Sequence, residues 1–138
     1  MVVASPDRRT ASTADHGRLG AVSGPGTHVG AHVAVIGPGD ADERTCAVAR
    51  EVGRLLAGHG VVVVTGGGTG VMAAASEGAH RADPPGRTVG ILPGASRGGA
   101  NPHVDVAVAT GLGEYRNGVV VASADGVIAV GGNAGTLI

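Results

Sequence analysis

At 138 residues, with 27 glycines and a single tyrosine as its only aromatic side chain, the chain is one domain at most, with a core of Val, Ala, Leu and Ile. Its glycines follow no three-residue period, which excludes collagen. A net charge of −1 and scattered arginines without any lysine remove the footprint of a nucleic-acid binder.

One cysteine, Cys46, rules out an internal disulfide and fits a reducing compartment. No apolar stretch approaches the roughly 18–20 residues that span a bilayer. Residues 1–31 are rich in Ser, Thr, Gly and Pro and read as a flexible, disordered leader. Their order of charged and apolar residues is not that of a signal peptide, so a cytoplasmic location is expected.

Order is expected to begin at a strand, His32–Ile36, which ends in Gly37-Pro-Gly39. Asp40 or Asp42 is placed to cap a helix in which Thr45, Val48, Val52, Leu55 and Leu56 form an apolar stripe at helical spacing. Gly58 or Gly60 would stop it. Four valines, Val61 to Val64, then run into Thr65-Gly-Gly-Gly-Thr-Gly70, the pattern of a buried parallel strand closed by a tight turn. A helix over about 70–80 would pack through Val71, Met72, Ala75 and Ala79. Thr88–Leu92 is a third strand, 93–103 a loop without helical period, and Val104–Thr110 a fourth strand. A helix from Glu114 to about Ser123 and a fifth strand over 126–130 follow. This alternation predicts an α/β fold, a three-layer domain over 32–138 with a mainly parallel five-stranded sheet.

Ligands of such sheets sit beyond the carboxyl ends of the strands. Two glycine clusters lie there, Gly66, Gly67, Gly68, Thr69, Gly70 and Gly131, Gly132, Asn133, Gly135, Thr136. Glycine leaves no Cβ to hold a ligand away, and a helix start offers unpaired N–H groups to phosphate. Asn133 suits a left-handed turn position, and Thr136 offers a hydroxyl. Gly37 stands at the end of the first strand. Arg116, in the first turn of the last helix, is placed to pair with phosphate, and Asn117 to hydrogen-bond phosphate or ribose. The candidate ligand is a small phosphorylated molecule, with no nucleic-acid or membrane partner.

Familiar motifs fail. The fingerprint G-x-G-x-x-G is broken by Asp42 after the first strand and by Val71 after the second. A P-loop is impossible without lysine. Gly94-Ala-Ser96-Arg-Gly98 matches G-x-S-x-G but is not a strand-to-helix elbow. The histidines show no metal-ligand spacing, and His103 and Asp105 share a strand face without an evident role.

Thr65 to Ala79, Gly90-Ile-Leu-Pro-Gly94, Ala100-Asn-Pro102 and Gly111-Leu-Gly-Glu-Tyr-Arg-Asn117 resemble the LOG family, long misannotated as lysine decarboxylases. The branch most similar is related to molybdenum cofactor carriers and DNA-processing A proteins. The resemblance implies a Rossmann-like fold, a homodimer and, in the enzymes, hydrolysis of the N-glycosidic bond of cytokinin or other nucleoside 5′-monophosphates. Those enzymes carry P-G-G-x-G-T-x-x-E and an arginine on the preceding helix, where Arg116 falls. Here Gly131 replaces the proline and Asn133 a glycine, while Gly132, Gly135 and Thr136 match. The motif glutamate would fall one residue past Ile138, and the helix expected after the second cluster is missing. The chain is therefore expected to be a truncated member of the family. It reads as a binder of a nucleotide or of molybdenum cofactor, with a phosphoribohydrolase and a non-functional fragment as the alternatives.

Overall fold

The computed structural model describes residues 2–4 and 30–132. Most of the expected leader, and Asn133, Gly135 and Thr136 of the second glycine cluster, lie outside the described residues. Six strands form one sheet: β1 (Val2–Ala4), β2 (His32–Ile36), β3 (Val62–Thr65), β4 (Thr88–Leu92), β5 (Val106–Ala109) and β6 (Gly126–Ala129). Their order is β1-β6-β2-β3-β4-β5. The five strands from β2 to β6 are parallel, as the alternation of elements predicts. β1 lies antiparallel on β6, pairing Val3 with Val127, a strand inside the segment read as leader.

Among the described residues, three α-helices, α1 (Glu43–Gly58), α2 (Val71–His80) and α3 (Arg116–Ala122), cover the sheet. Two cores result. On one face α1 and α2 cover Val35 and Val63 with Ala49, Ala57, Val71 and Ala75. On the other, α3 brings Val120 and Ala124 onto Ala34, Val62, Val64 and Ile91. Alternate residues of β2 and β3 face opposite cores, the two-residue period of a strand buried on both sides.

Asp42, not Asp40, caps α1: its side chain accepts a hydrogen bond from Thr45 N at 2.8 Å. That bond holds the Asp42 carboxyl below its ordinary pKa. α1 ends at Gly58, and Gly60 follows at φ 76°. The apolar stripe of α1 holds in part: Val52 and Leu56 are half-buried and pack against the core. Val48 and Leu55 are about half exposed, and the buried positions are Ala49, Gly53 and Ala57. The cause is the closeness of α1 to α2. A Cβ on Gly53 would collide with the Ala75 carbonyl, and one on Gly78 with the Arg50 carbonyl. Only small residues fit this seam, so the larger aliphatics are pushed to its flanks. On α2, Val71, Ala75 and Ala79 are buried as expected.

The last helix is split. A 3₁₀ turn, Gly113–Tyr115, precedes α3 and sets Arg116 at the first turn of the α-helix. The stretch read as strand from Val104 begins pairing only at Val106, because its first part is held by other bonds. Thr88, fully buried, donates its hydroxyl to the His103 carbonyl at 2.6 Å. Asp105 accepts from Thr88 N at 2.9 Å and meets His80 Nε2 at 3.0 Å. Burial would raise the Asp105 carboxyl; the bonds from His80 and Thr88 outweigh it and hold it below the usual carboxylate range. His103 and Asp105 thus serve a polar clasp between α2 and the approach to β5.

Candidate functional site

Beside β2 the strand order reverses, since the chain steps outward to β3, β4 and β5 and then returns to β6. In parallel sheets a crevice opens at such a place, beyond the carboxyl ends of the strands. Here a cleft of about 630 Å³ is walled by Val35, Ile36, Gly37 and Gly39, by Gly66 and Met72, and by residues from Glu114 to Ala122 along α3. That volume suits a small-molecule ligand. Its walls are chiefly aliphatic, with Arg116, Asn117 and Glu114 as the polar side chains.

Arg116 is the centre of the site. It is 9% exposed. Its Nη1 donates to the Gly66 carbonyl at 2.5 Å and to the Ile91 carbonyl at 3.0 Å, and its Nε to Asn117 Oδ1 at 2.7 Å. No carboxylate among the described residues lies within ion-pairing distance of it, although arginines 50, 54 and 81 all have such partners. Nη2 has no protein acceptor among the described residues. A buried cation without a counter-charge is costly. An anion in the cleft would supply that charge, and a guanidinium nitrogen without an acceptor is suited to carboxylate or phosphate.

The first glycine cluster is explained in large part by contacts within the protein. Gly67 has φ 75°, and a Cβ there would lie 2.6 Å from Leu92 Cδ2. A Cβ on Gly66 would lie 2.8 Å from Arg116 Cζ and from Met72 Sδ. Gly70, at φ 63°, abuts the backbone of Pro38 and Gly39. Thr69 donates its hydroxyl to the Gly39 carbonyl at 2.7 Å, tying the turn after β3 to the turn after β2. Gly68 meets the Met72 methyl group, 2.8 Å from an added Cβ, so this contact is with a flexible tip.

Of the residues singled out in the sequence, Gly37, Gly66, Arg116 and Asn117 line the cleft. Gly67, Gly68, Thr69 and Gly70 form the turn beside it. Gly131 and Gly132, at φ 65° and 83°, stand on the same rim at the end of β6. Gly131 packs on Thr45 of α1, whose Cγ2 would lie 2.6 Å from an added Cβ, and Gly37 packs on the Val130 carbonyl. Sequence reasoning did not assign Glu114 or Met72 to the cleft. Glu114 shares a turn with Arg116, a signal that would have placed it. Met72 read as a packing residue, and nothing in the sequence distinguishes the two uses. Among the described residues no group of three or more His, Cys, Asp or Glu side chains is placed to hold a metal ion. No helix among them is long and apolar enough to cross a membrane.

Comparison with known proteins agrees with this architecture. The chain is 41% identical over 105 residues to an uncharacterized protein of Archaeoglobus fulgidus, covering 76% of this chain and 68% of that one. The molybdenum cofactor binding protein of the phototrophic bacterium Rippkaea orientalis is 43% identical with a TM-score of 0.72, over 78% of this chain and 66% of that one. The molybdenum cofactor carrier protein of Chlamydomonas reinhardtii is 37% identical with a TM-score of 0.67, over the same shares. The chain therefore spans about two thirds of the length of these relatives. The family model described as SLOG cluster4 family matches residues 30–138, and the chain belongs to that family.

Proposed function

We propose that this protein binds a phosphate-bearing heterocycle, of the molybdenum cofactor or nucleoside 5′-monophosphate type, and holds it without converting it. The observation that carries this reading is Arg116, which is nine-tenths buried, lines the cleft and has no carboxylate partner among the described residues. Its charge would meet the phosphate, while Ile36, Met72, Val120 and Val121 offer aliphatic surface to a ring. Bound molybdenum cofactor would bring its own redox-active metal; this chain's residues would only seat the pterin and its phosphate. The likeness to proteins described as molybdenum cofactor binding and carrier proteins points the same way.

The test is calorimetric titration of the purified chain with molybdenum cofactor and with AMP, together with chromatography for released base. Saturable binding of either ligand, with no turnover, is expected. If neither ligand binds or raises the unfolding temperature, the reading fails and a non-functional fragment takes its place.

One observation favours a second reading, hydrolysis of the N-glycosidic bond of a nucleoside 5′-monophosphate. Glu114 lies in the cleft wall with Arg116, and a carboxylate there would activate water or stabilise an oxocarbenium-like transition state. Adenine released from AMP by the unaltered protein, and not by the Glu114→Gln variant, would replace the carrier reading with this one.

A further inference from the structure

The turn between β3 and α2 has an uneven pattern of bonding. Its three successive carbonyls are all engaged from elsewhere in the chain: Gly66 O by Arg116 Nη1, Gly67 O by Asn101 N at 2.9 Å, and Gly68 O by Asn101 Nδ2 at 2.8 Å. Its N–H groups are treated differently. Gly67 N donates to Thr65 Oγ1 at 3.0 Å, but the N–H groups of Gly68 and Thr69 have no protein acceptor among the described residues. Gly68 is half-buried and Thr69 exposed.

From this we infer that Asn101 is a positioning residue of the anion site, turning the Gly68 and Thr69 amides away from itself at the edge of the cleft, where a ligand's anionic group would meet them. The inference rests on reading the cleft as an anion site. Its physical basis is the planarity of the peptide. In a trans peptide the carbonyl of one residue and the N–H of the next point to opposite sides of the chain. The peptides linking 67 to 68 and 68 to 69 are trans. Fixing Gly67 O therefore turns the Gly68 N–H away from Asn101, and fixing Gly68 O does the same for Thr69. One residue thus sets two consecutive planes, and it leaves two amide donors side by side on the open face. Such pairs of amides form anion-binding concavities. The thioether of Met72, which lines the cleft, lies against Gly66 and Gly68 and joins this face to the Arg116 wall.

Asn is specifically suited to the task. Its Oδ1 accepts from His103 N at 2.9 Å, so its Nδ2 is the half that faces Gly68 O. Its own carbonyl accepts from Val104 N at 3.2 Å. His103 is anchored in turn by the buried Thr88 hydroxyl. Asn101 is thus fixed to β4 on one side and fixes the turn on the other. An alanine would keep the backbone bond to Gly67 O and lose the two side-chain bonds.

The experiment compares the unaltered protein with Asn101→Ala and Asn101→Asp, using AMP and molybdenum cofactor as probes in calorimetric titration from pH 7 to pH 3. Asn101→Ala is expected to bind about tenfold more weakly, because one of two charge-assisted bonds loses its aim. Asn101→Asp keeps the acceptor for His103 N, places a carboxylate against Gly68 O and is weaker still at pH 7. As that carboxyl protonates below about pH 4 it regains a donor, and its affinity relative to the unaltered protein recovers. Urea unfolding is read alongside: a merely structural residue would move stability and leave the affinity of the folded protein unchanged. Should either variant fail to fold, amide exchange of Gly68 and Thr69 in the other is read by NMR, with faster exchange expected. Equal affinity in Asn101→Ala, or an aspartate variant without recovery at low pH, or unchanged exchange at both amides, overturns the role of Asn101 alone. If the unaltered protein binds neither probe, the cleft reading falls and this inference with it.

Discussion

Replacing Arg116 by methionine separates bracing of the rim from the proposed meeting with an anion. Methionine keeps much of the aliphatic volume and removes the guanidinium. The structure assigns three hydrogen bonds to that group: two to the carbonyls of Gly66 and Ile91 and one to Asn117. The Asn117 side chain is exposed and regains water. The Gly66 carbonyl belongs to a buried residue, as does that of Ile91, and each orphaned carbonyl costs about 1–3 kcal/mol. Against this, removal of an unpaired buried charge returns part of the loss. The expected net destabilisation is about 1–4 kcal/mol, read by urea unfolding at pH 7. Phosphate gives the second readout. Ligand at 100 times its dissociation constant adds about 2.7 kcal/mol to stability, which for a domain of this size raises Tm by about 8–16 °C. AMP or inorganic phosphate should raise the Tm of the unaltered protein and leave that of Arg116→Met unmoved. Equal shifts in both proteins would show that the anion does not meet Arg116, and the reasoning built on its missing counter-charge would be refuted.

Two further predictions concern the frame that holds the site. Gly53→Ala drives a methyl group into the Ala75 carbonyl; α1 and α2 must move apart, at a cost of about 1–3 kcal/mol or more. A variant as stable as the parent in urea would mean that the seam is not tightly packed. Glu77 joins Arg50 at 2.5 Å, Arg81 at 3.1 Å and His103 at 3.5 Å. Burial would raise the Glu77 carboxyl, but the bond and charge of Arg50, with the charges of Arg81 and His103, outweigh it and hold the carboxyl low. A depressed folded pKa stabilises above the unfolded value, about 4.3, and the benefit disappears as pH falls through the folded value. Glu77→Gln should therefore cost about 1 kcal/mol at pH 7, with the gap to the parent closing below about pH 4; a gap constant from pH 7 to pH 3 would contradict this.

The layered sheet is legible in the sequence because each parallel strand is a short β-branched run bounded by glycine or proline. Val62–Thr65 and Thr88–Leu92 are found nearly to the residue. The orientation of α1 is not legible. Spacing of large aliphatics points to Val48, Val52, Leu55 and Leu56, of which only Val52 and Leu56 pack on the core, whereas the fully buried positions are Ala49, Gly53 and Ala57. Small-residue seams give no hydropathy signal, since their driving force is the closeness they permit. The rim of the site is legible from Gly37, Gly66 and Arg116, each at a strand end or helix start. The bonds that shape it join residues 25, 50 and 33 positions apart, as in Arg116 to Ile91, Arg116 to Gly66 and Asn101 to Gly68. No local pattern records them.

The carboxyl ends of parallel strands pose a problem for any anion, because they present carbonyl oxygens. This chain answers it residue by residue. Gly66 lacks a Cβ, and that space is where the guanidinium of Arg116 lies. The arginine takes the carbonyls of Gly66 and Ile91, and Asn101 takes those of Gly67 and Gly68. Four acceptors are withdrawn from the rim, while the amides of Gly68 and Thr69 and the Nη2 of Arg116 keep no protein acceptor among the described residues. A wall of partial negative charge thereby becomes one of donors. The glycine cluster and the arginine are then one device: the glycine is required by the arginine, and the arginine, without a carboxylate partner among the described residues, is what the proposed anion would meet.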